Sequence, residues 1–176
     1  MADLVPRLRD RTLLMTATPA NLPDIDAFTR PYWDAAAEGH LLLRRCVACE
    51  RAHHYPREFC PHCWSEDVRW ESASGRATLY TWSVVHRNDL PPFGERVPYV
   101  AAVVDLAEGP RMMTEVVGVP DGDLRIGMEL EVAFRPEGPE GPEGPEGPEG
   151  REGREGPDGQ VTVPVFGPPR SPGSQG

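Results

Sequence analysis

The chain has 176 residues, a formal net charge of −10 and a pI near 4.9, a balance that gives no general attraction to nucleic acid or to an anionic membrane. All 18 basic residues are arginine, which excludes Schiff-base and lysine-nucleophile mechanisms. No apolar run approaches the roughly 20 residues of a spanning helix, and near the N-terminus only Leu13–Met15 stands where a secretory leader needs a longer stretch; a soluble cytoplasmic protein with reduced thiols is expected.

Residues 1–22 carry prolines and no sustained periodicity, and are expected to form a flexible arm. The next stretch, "PDIDAFTRPYWDAAAEGH" (23–40), reads as a helical lead of two short helices. Asp24 is placed to cap the first and Thr29 the second, with Pro31 tolerated in its first turn and Gly39 just past its end. Phe28, Tyr32, Trp33 and Ala36 then fall near one face, available for burial against the domain or for contact with a partner.

Residues 41–72 hold every cysteine of the chain, as Cys46-x2-Cys49 and Cys60-x2-Cys63 with ten residues between the pairs. Each CxxC turn can aim two thiolates at one point, and two such knuckles complete a tetrahedron around a metal at about 2.3 Å per Zn–S bond. The spacing predicts a zinc ribbon; iron in a rubredoxin-like site uses the same ligands. A metal with four protein ligands keeps no open position for water or substrate, so the expected role is structural rather than Lewis-acid catalysis. Arg44, Arg45, Arg51 and Arg57 are near enough in sequence to offset the net charge of the tetrathiolate. His53, His54 and His62 are read as surface residues.

From residue 73 the text turns to strands. "GRATLYTWSVV", "YVAAVVDL", "RMMTEVVGV" and "MELEVAF" are rich in Val, Thr and aromatics and are separated by turn clusters. In the last run Leu130, Val132 and Phe134 alternate with Glu129, Glu131 and Ala133, the period of a half-buried strand. Four strands without a long intervening helix suggest a small antiparallel barrel over 73–136.

Residues 137–159 then repeat "EGP", with eight glycines at every third position from Gly138 to Gly159. An acid in every triplet sets the chains of a collagen-like triple helix against one another, so a solvated, disordered insertion is the expected state. Apolar alternation returns at Val161, Val163 and Val165. Residues 160–167 are therefore expected to supply the last barrel strand, since lengthening a loop from about 5 to about 25 residues costs only roughly 1.4 kcal/mol. Residues 168–176 are expected to form a flexible tail.

The order of these parts, "RPYWDAAAEGHLLLRRC", the paired CxxC, "DLAEGPRMMTEVVG" and the closing "VTVPVF", resembles the bacterial and archaeal zinc-ribbon OB-fold proteins associated with acyl-CoA metabolism, long labelled a domain of unknown function. The resemblance runs from about Phe28 to Phe166. It implies a mainly β chain with a helical lead, a rubredoxin-like zinc ribbon and a five-stranded OB-fold barrel, with Cys46, Cys49, Cys60 and Cys63 holding structural zinc. It further implies a non-catalytic accessory subunit in a hetero-oligomer with a thiolase-like or aldolase-like protein, in which the catalytic residues belong to the partner. Tyr32, Trp33 and Phe93 are the candidate partner-binding residues, and an acyl-CoA contact would need Arg76, Arg87, Arg96 or Arg111. Two other readings are a single-strand nucleic-acid module, which needs a basic groove that 1–136 does not offer, and a stand-alone enzyme built on His86, Asp89, Asp105 or Glu108, among which no nucleophile–base spacing is evident.

Overall fold

A computed structural model describes residues 22–138 and 160–170. The expectations for the arm before Leu22, for the repeat beyond Gly138 and for the tail beyond Arg170 lie outside these residues. One helix, α1 (Arg30–Ala37), precedes strands β1 (Leu42–Cys46), β2 (Ala52–His53) and β3 (Val68–Ser72), which form an antiparallel sheet in the order β2-β1-β3.

The lead contains one helix where two are expected. Asp26 and Thr29 bond to each other instead: the Thr29 amide and hydroxyl both donate to Asp26 Oδ1, at 2.7 and 2.8 Å, and the Asp26 amide donates to Thr29 Oγ1 at 3.1 Å. Such local bonds compete with helical ones and close a turn in place of the first helix. Thr29 still stands at the N-cap of α1, although its side chain caps nothing. Gly39, at φ +81°, ends the helix as expected.

The remaining strands are β4 (Arg76–Val85), β5 (Tyr99–Leu106), β6 (Arg111–Val116), β7 (Glu129–Glu137) and β8 (Val161–Gly167). They close a barrel in the order β4-β5-β6-β8-β7, antiparallel except where β6 meets β8 in parallel at Val116↔Phe166. This is the five-stranded OB-fold topology, and β8 is the strand that closes it. Inward residues alternate along β5, where Val100, Ala102, Val104 and Leu106 are all buried. They meet Leu79, Met112, Leu130 and Phe166 in one apolar cluster, which continues into Tyr32, Leu41 and Leu43 of the lead and ribbon.

Ribbon and barrel therefore share a core, and Gly75 marks the passage between them. Its φ is +77°, and a Cβ there would stand 2.7 Å from Val132 Cγ1, so only glycine fits. Its carbonyl accepts a 2.8 Å hydrogen bond from the Val132 amide, joining the start of β4 to β7.

Candidate metal centre

Cys46 closes β1 and Cys49 follows one turn later, while Cys60 and Cys63 occupy a second, matching turn. Backbone bonds hold both knuckles: the Cys46 amide donates to Arg51 O at 3.0 Å, and the Cys60 amide to Ser65 O at 2.9 Å. The residue after each pair, Glu50 (φ 59°) and Trp64 (φ 65°), adopts the left-handed conformation.

All four sulfurs lie within 4.8 Å of one another. The Cys46–Cys63 and Cys49–Cys60 separations are 3.5 and 3.7 Å, close to the edge of about 3.8 Å of a tetrahedron with 2.3 Å Zn–S bonds. Burial raises the Cys46 thiol, but the amides of Cys49 and Ala48 and the adjoining sulfurs outweigh it and bring it to about 7. The Ser65 amide favours the Cys63 thiolate, yet the Cys46, Cys49 and Cys60 sulfurs push Cys63 up to about 12. Four ionised sulfurs this close need a cation among them. The donor set fits structural zinc, which supplies folding free energy to a segment too short to build its own core.

The surroundings differ from expectation in three respects. Arg44 is 9% exposed and does not face the sulfurs. Its guanidinium lies 5.4 Å from the Phe28 ring centroid and 4.7 Å from that of Trp70, and it donates to Val68 O at 3.0 Å. Arg45 grips Glu71 with two bonds of 2.6 and 2.8 Å and donates to Glu50 O. Both arginines thus fasten lead, ribbon turn and β3 together instead of neutralising the cluster; Arg51 and Arg57 are exposed.

His53 and His54 are the third departure, since His53 is buried and His54 half-buried, whereas His62 is exposed as expected. Neither ring nitrogen of His53 makes a hydrogen bond. His54 Nε2 lies 3.2 Å from the Tyr32 hydroxyl, and burial, with a smaller contribution from His53, pushes His54 down to about 4. Tyr32 packs edge-on to Trp33 and Tyr55, at centroid distances of 4.9 and 5.5 Å. No spacing rule in the sequence announces this burial.

Of the three candidate partner residues, Tyr32 is 2% exposed and belongs to the core, so its ring is not a free surface. Trp33 is half-buried beside Tyr55, which is 40% exposed. Phe93 lies on the β4–β5 loop, 5.8 Å from the Arg96 guanidinium. Arg96 pins that loop to the barrel through Glu115 at 2.8 Å and Glu137 at 2.9 Å, and Arg135 joins the same two carboxylates. Three of the four arginines named for an acyl-CoA contact are therefore paired with carboxylates: Arg96 here, Arg111 with Asp105 at 2.7 Å, and Arg87 with Asp89. Arg87 pairs with Asp89 in the open, and His86 is exposed. Asp105 and Glu108 line a groove of about 730 Å³ between the ribbon and the β5–β6 hairpin, together with Arg45, Arg51 and Arg111. His86 is not among the residues lining that groove.

Two family models match consecutive parts of the chain: the ChsH2 rubredoxin-like zinc ribbon domain over residues 33–69 and the ChsH2 C-terminal OB-fold domain over residues 70–135. The chain is 37% identical over 106 residues to a probable enoyl-CoA hydratase alpha subunit of Thermomonospora curvata, covering 60% of this chain and 33% of the relative. This chain thus spans about a third of that protein's length. It is 31% identical over 117 residues to the benzoylsuccinyl-CoA thiolase subunit BbsA of Thauera aromatica, covering 65% of this chain and 78% of the relative. Among solved structures, the Ltp2-ChsH2(DUF35) aldolase superposes with a TM-score of 0.62 at 31% identity, over 84% of this chain and 98% of that one. No helix among the described residues is long and apolar enough to cross a membrane.

Proposed function

The chain belongs to the ChsH2-type family of zinc-ribbon and OB-fold (DUF35) proteins, and from that premise we propose that it is a non-catalytic accessory subunit of a thiolase-superfamily enzyme. The partner is a thiolase, an acyltransferase or a thiolase-like aldolase that acts on acyl-CoA thioesters, as in lipid or steroid side-chain metabolism. The likeness to the aldolase complex carries this reading, because it extends over nearly the whole of the matched chain. The names of the relatives agree, one being a thiolase subunit and another a hydratase subunit.

The chemistry of the metal centre supports the same conclusion. A metal held by four thiolates leaves no position at which substrate could be polarised. The ribbon instead braces α1 against the barrel, presenting a stiff surface to a larger protein. Trp33 with the open edge of Tyr55, and Phe93 on its arginine-pinned loop, are the proposed contacts, aromatic anchors being favoured at interfaces. The cytoplasm, where thiols stay reduced, is the proposed location.

The test is affinity isolation of the full chain from its native cell extract, with the companion identified by mass spectrometry. A thiolase-superfamily protein in fixed stoichiometry is expected, with acyl-CoA turnover only when both are present. Turnover of an acyl-CoA by the purified single chain at enzymatic rates refutes the proposal.

A further inference from the structure

The groove between the ribbon and the β5–β6 hairpin is lined by two polar groups that the fold itself does not use. Glu108 stands in the turn of that hairpin, which is closed by the Leu106 amide on Pro110 O at 3.0 Å and the Gly109 amide on Leu106 O at 2.9 Å. Glu108 Oε1 accepts from the Ser74 amide at 2.7 Å, while Oε2 is buried and has no partner among the described residues. On the ribbon side of the groove His53 is 4% exposed, and both its ring nitrogens are likewise unpartnered. A buried carboxylate oxygen left unpaired is costly, and one that lines a concavity calls for a ligand that donates. The neighbouring charges agree. Arg45 and Arg111 also line the groove, but each is spent on its own carboxylate: Arg45 on Glu71, with a further bond to Glu50 O, and Arg111 on Asp105. Arg51 and His62 are exposed, where solvent screens their charge. Glu108 thus keeps an unanswered negative charge, in a chain whose net charge is already −10.

We propose that this groove receives an arginine side chain presented by the companion protein, its guanidinium donating to Glu108 Oε2 and, from another edge, to a ring nitrogen of His53. A guanidinium suits such a pair because it is planar, carries five donors in a fixed fork and gives up its hydration more readily than an ammonium. The hairpin turn and the Ser74 bond hold Glu108 in place before the guanidinium arrives, which limits the ordering cost of binding. The groove, at about 730 Å³, has room for the side chain and for the short stretch of backbone that carries it. The proposal rests on the reading of this chain as an accessory subunit, because it needs a companion, but the site can be tested without one.

The experiment titrates the isotope-labelled, zinc-loaded full chain with N-acetyl-L-arginine methylamide and follows amide and imidazole resonances by NMR. The expected result is a saturable shift centred on Ser74, Glu108 and His53, with half-saturation at about 1–10 mM, the affinity that two charge-assisted hydrogen bonds leave to so small a probe. The citrulline analogue, alike in shape but uncharged, should bind at least about tenfold more weakly. Glu108→Gln, which can keep the Ser74 bond, should weaken the arginine probe by about tenfold. Glu66→Gln, which removes an exposed carboxylate elsewhere, should change it by less than about twofold. Equal binding of the citrulline analogue to the unaltered chain overturns the proposal, as does unchanged affinity in Glu108→Gln. Shifts confined to other acidic surfaces, or no saturation by about 50 mM, overturn it too. So does inorganic phosphate that moves the groove resonances where the arginine probe does not. Each of these results leaves the subunit assignment standing, since that depends on isolation of the companion.

Discussion

Phe166 gives the sharpest test of how the barrel is closed. It is 0% exposed, pairs with Val132 of β7, and is the residue through which β8 meets Val116 of β6. Phe166→Ala removes a complete buried ring at that junction. The flanking strands are held by backbone bonds, including Val117 N to Phe166 O at 2.8 Å, so the site cannot collapse fully around the void. Buried Phe→Ala changes of this kind cost about 3–5 kcal/mol. For a domain of this size that corresponds to a fall in Tm of about 10–20 °C. Equilibrium urea unfolding at fixed, saturating zinc measures the loss directly, with the slope expected to stay constant. Met113→Ala on the exposed side of β6 is the matched control and should change stability by no more than about 0.5 kcal/mol. A loss below about 1 kcal/mol for Phe166→Ala would mean that β8 does not close the barrel.

Further expectations concern the knuckles, pH and the barrel's ion network. Glu50→Gly relieves a left-handed backbone worth about 1–2 kcal/mol and loses about 0.5–1 kcal/mol through the freer unfolded chain; a net gain of roughly 0.5–1 kcal/mol in the urea midpoint is expected, and a net loss counts against it. Burial lowers His54 from 6.5 to about 4, so the unfolded chain takes up that proton first: stability is complete above about pH 6.5 and falls as pH drops toward 4, by on the order of 3 kcal/mol. Urea midpoints between pH 5 and 7, with zinc content monitored, should show that slope, and His54→Asn should flatten it. Burial opposes ionisation of Glu115, but Arg135 and Arg96 hold its carboxyl below the usual range; this contribution is present above the ordinary glutamate value and is lost as pH falls through the lowered one. Arg135→Met leaves Glu115 with fewer partners and should cost about 1–2 kcal/mol at pH 7, read by thermal melts, with the cost shrinking as pH falls below the ordinary glutamate range.

Much of this molecule is legible in its residues, for identifiable reasons. The ribbon announces itself because metal ligation fixes side-chain spacing along the chain, and the strands because half-burial imposes a period of two, as in Val100 to Leu106. Even the strand beyond the repeat shows in the return of alternation at Val161. What escapes is decided by contacts distant in sequence. A polar pair such as His53–His54 reads as surface until Tyr32 and Tyr55 are folded over it. Arg44 reads as a counter-charge until Phe28 and Trp70 approach from elements 16 residues before it and 26 after it. The missing first helix fails on a finer scale, where one carboxylate and one hydroxyl three residues apart satisfy each other before a helix can begin.

Glu137 and Val161 face each other across the last rung of β7 and β8, so the chain leaves the barrel and re-enters it at neighbouring points of one hairpin. A segment inserted between those two residues is tethered at both ends by one rung, and the sheet beneath it is a closed circuit. That rung is a natural berth for a reporter or a second binding module, one that could be exchanged while the zinc clasp, which ends 66 residues before β7, stays as it was.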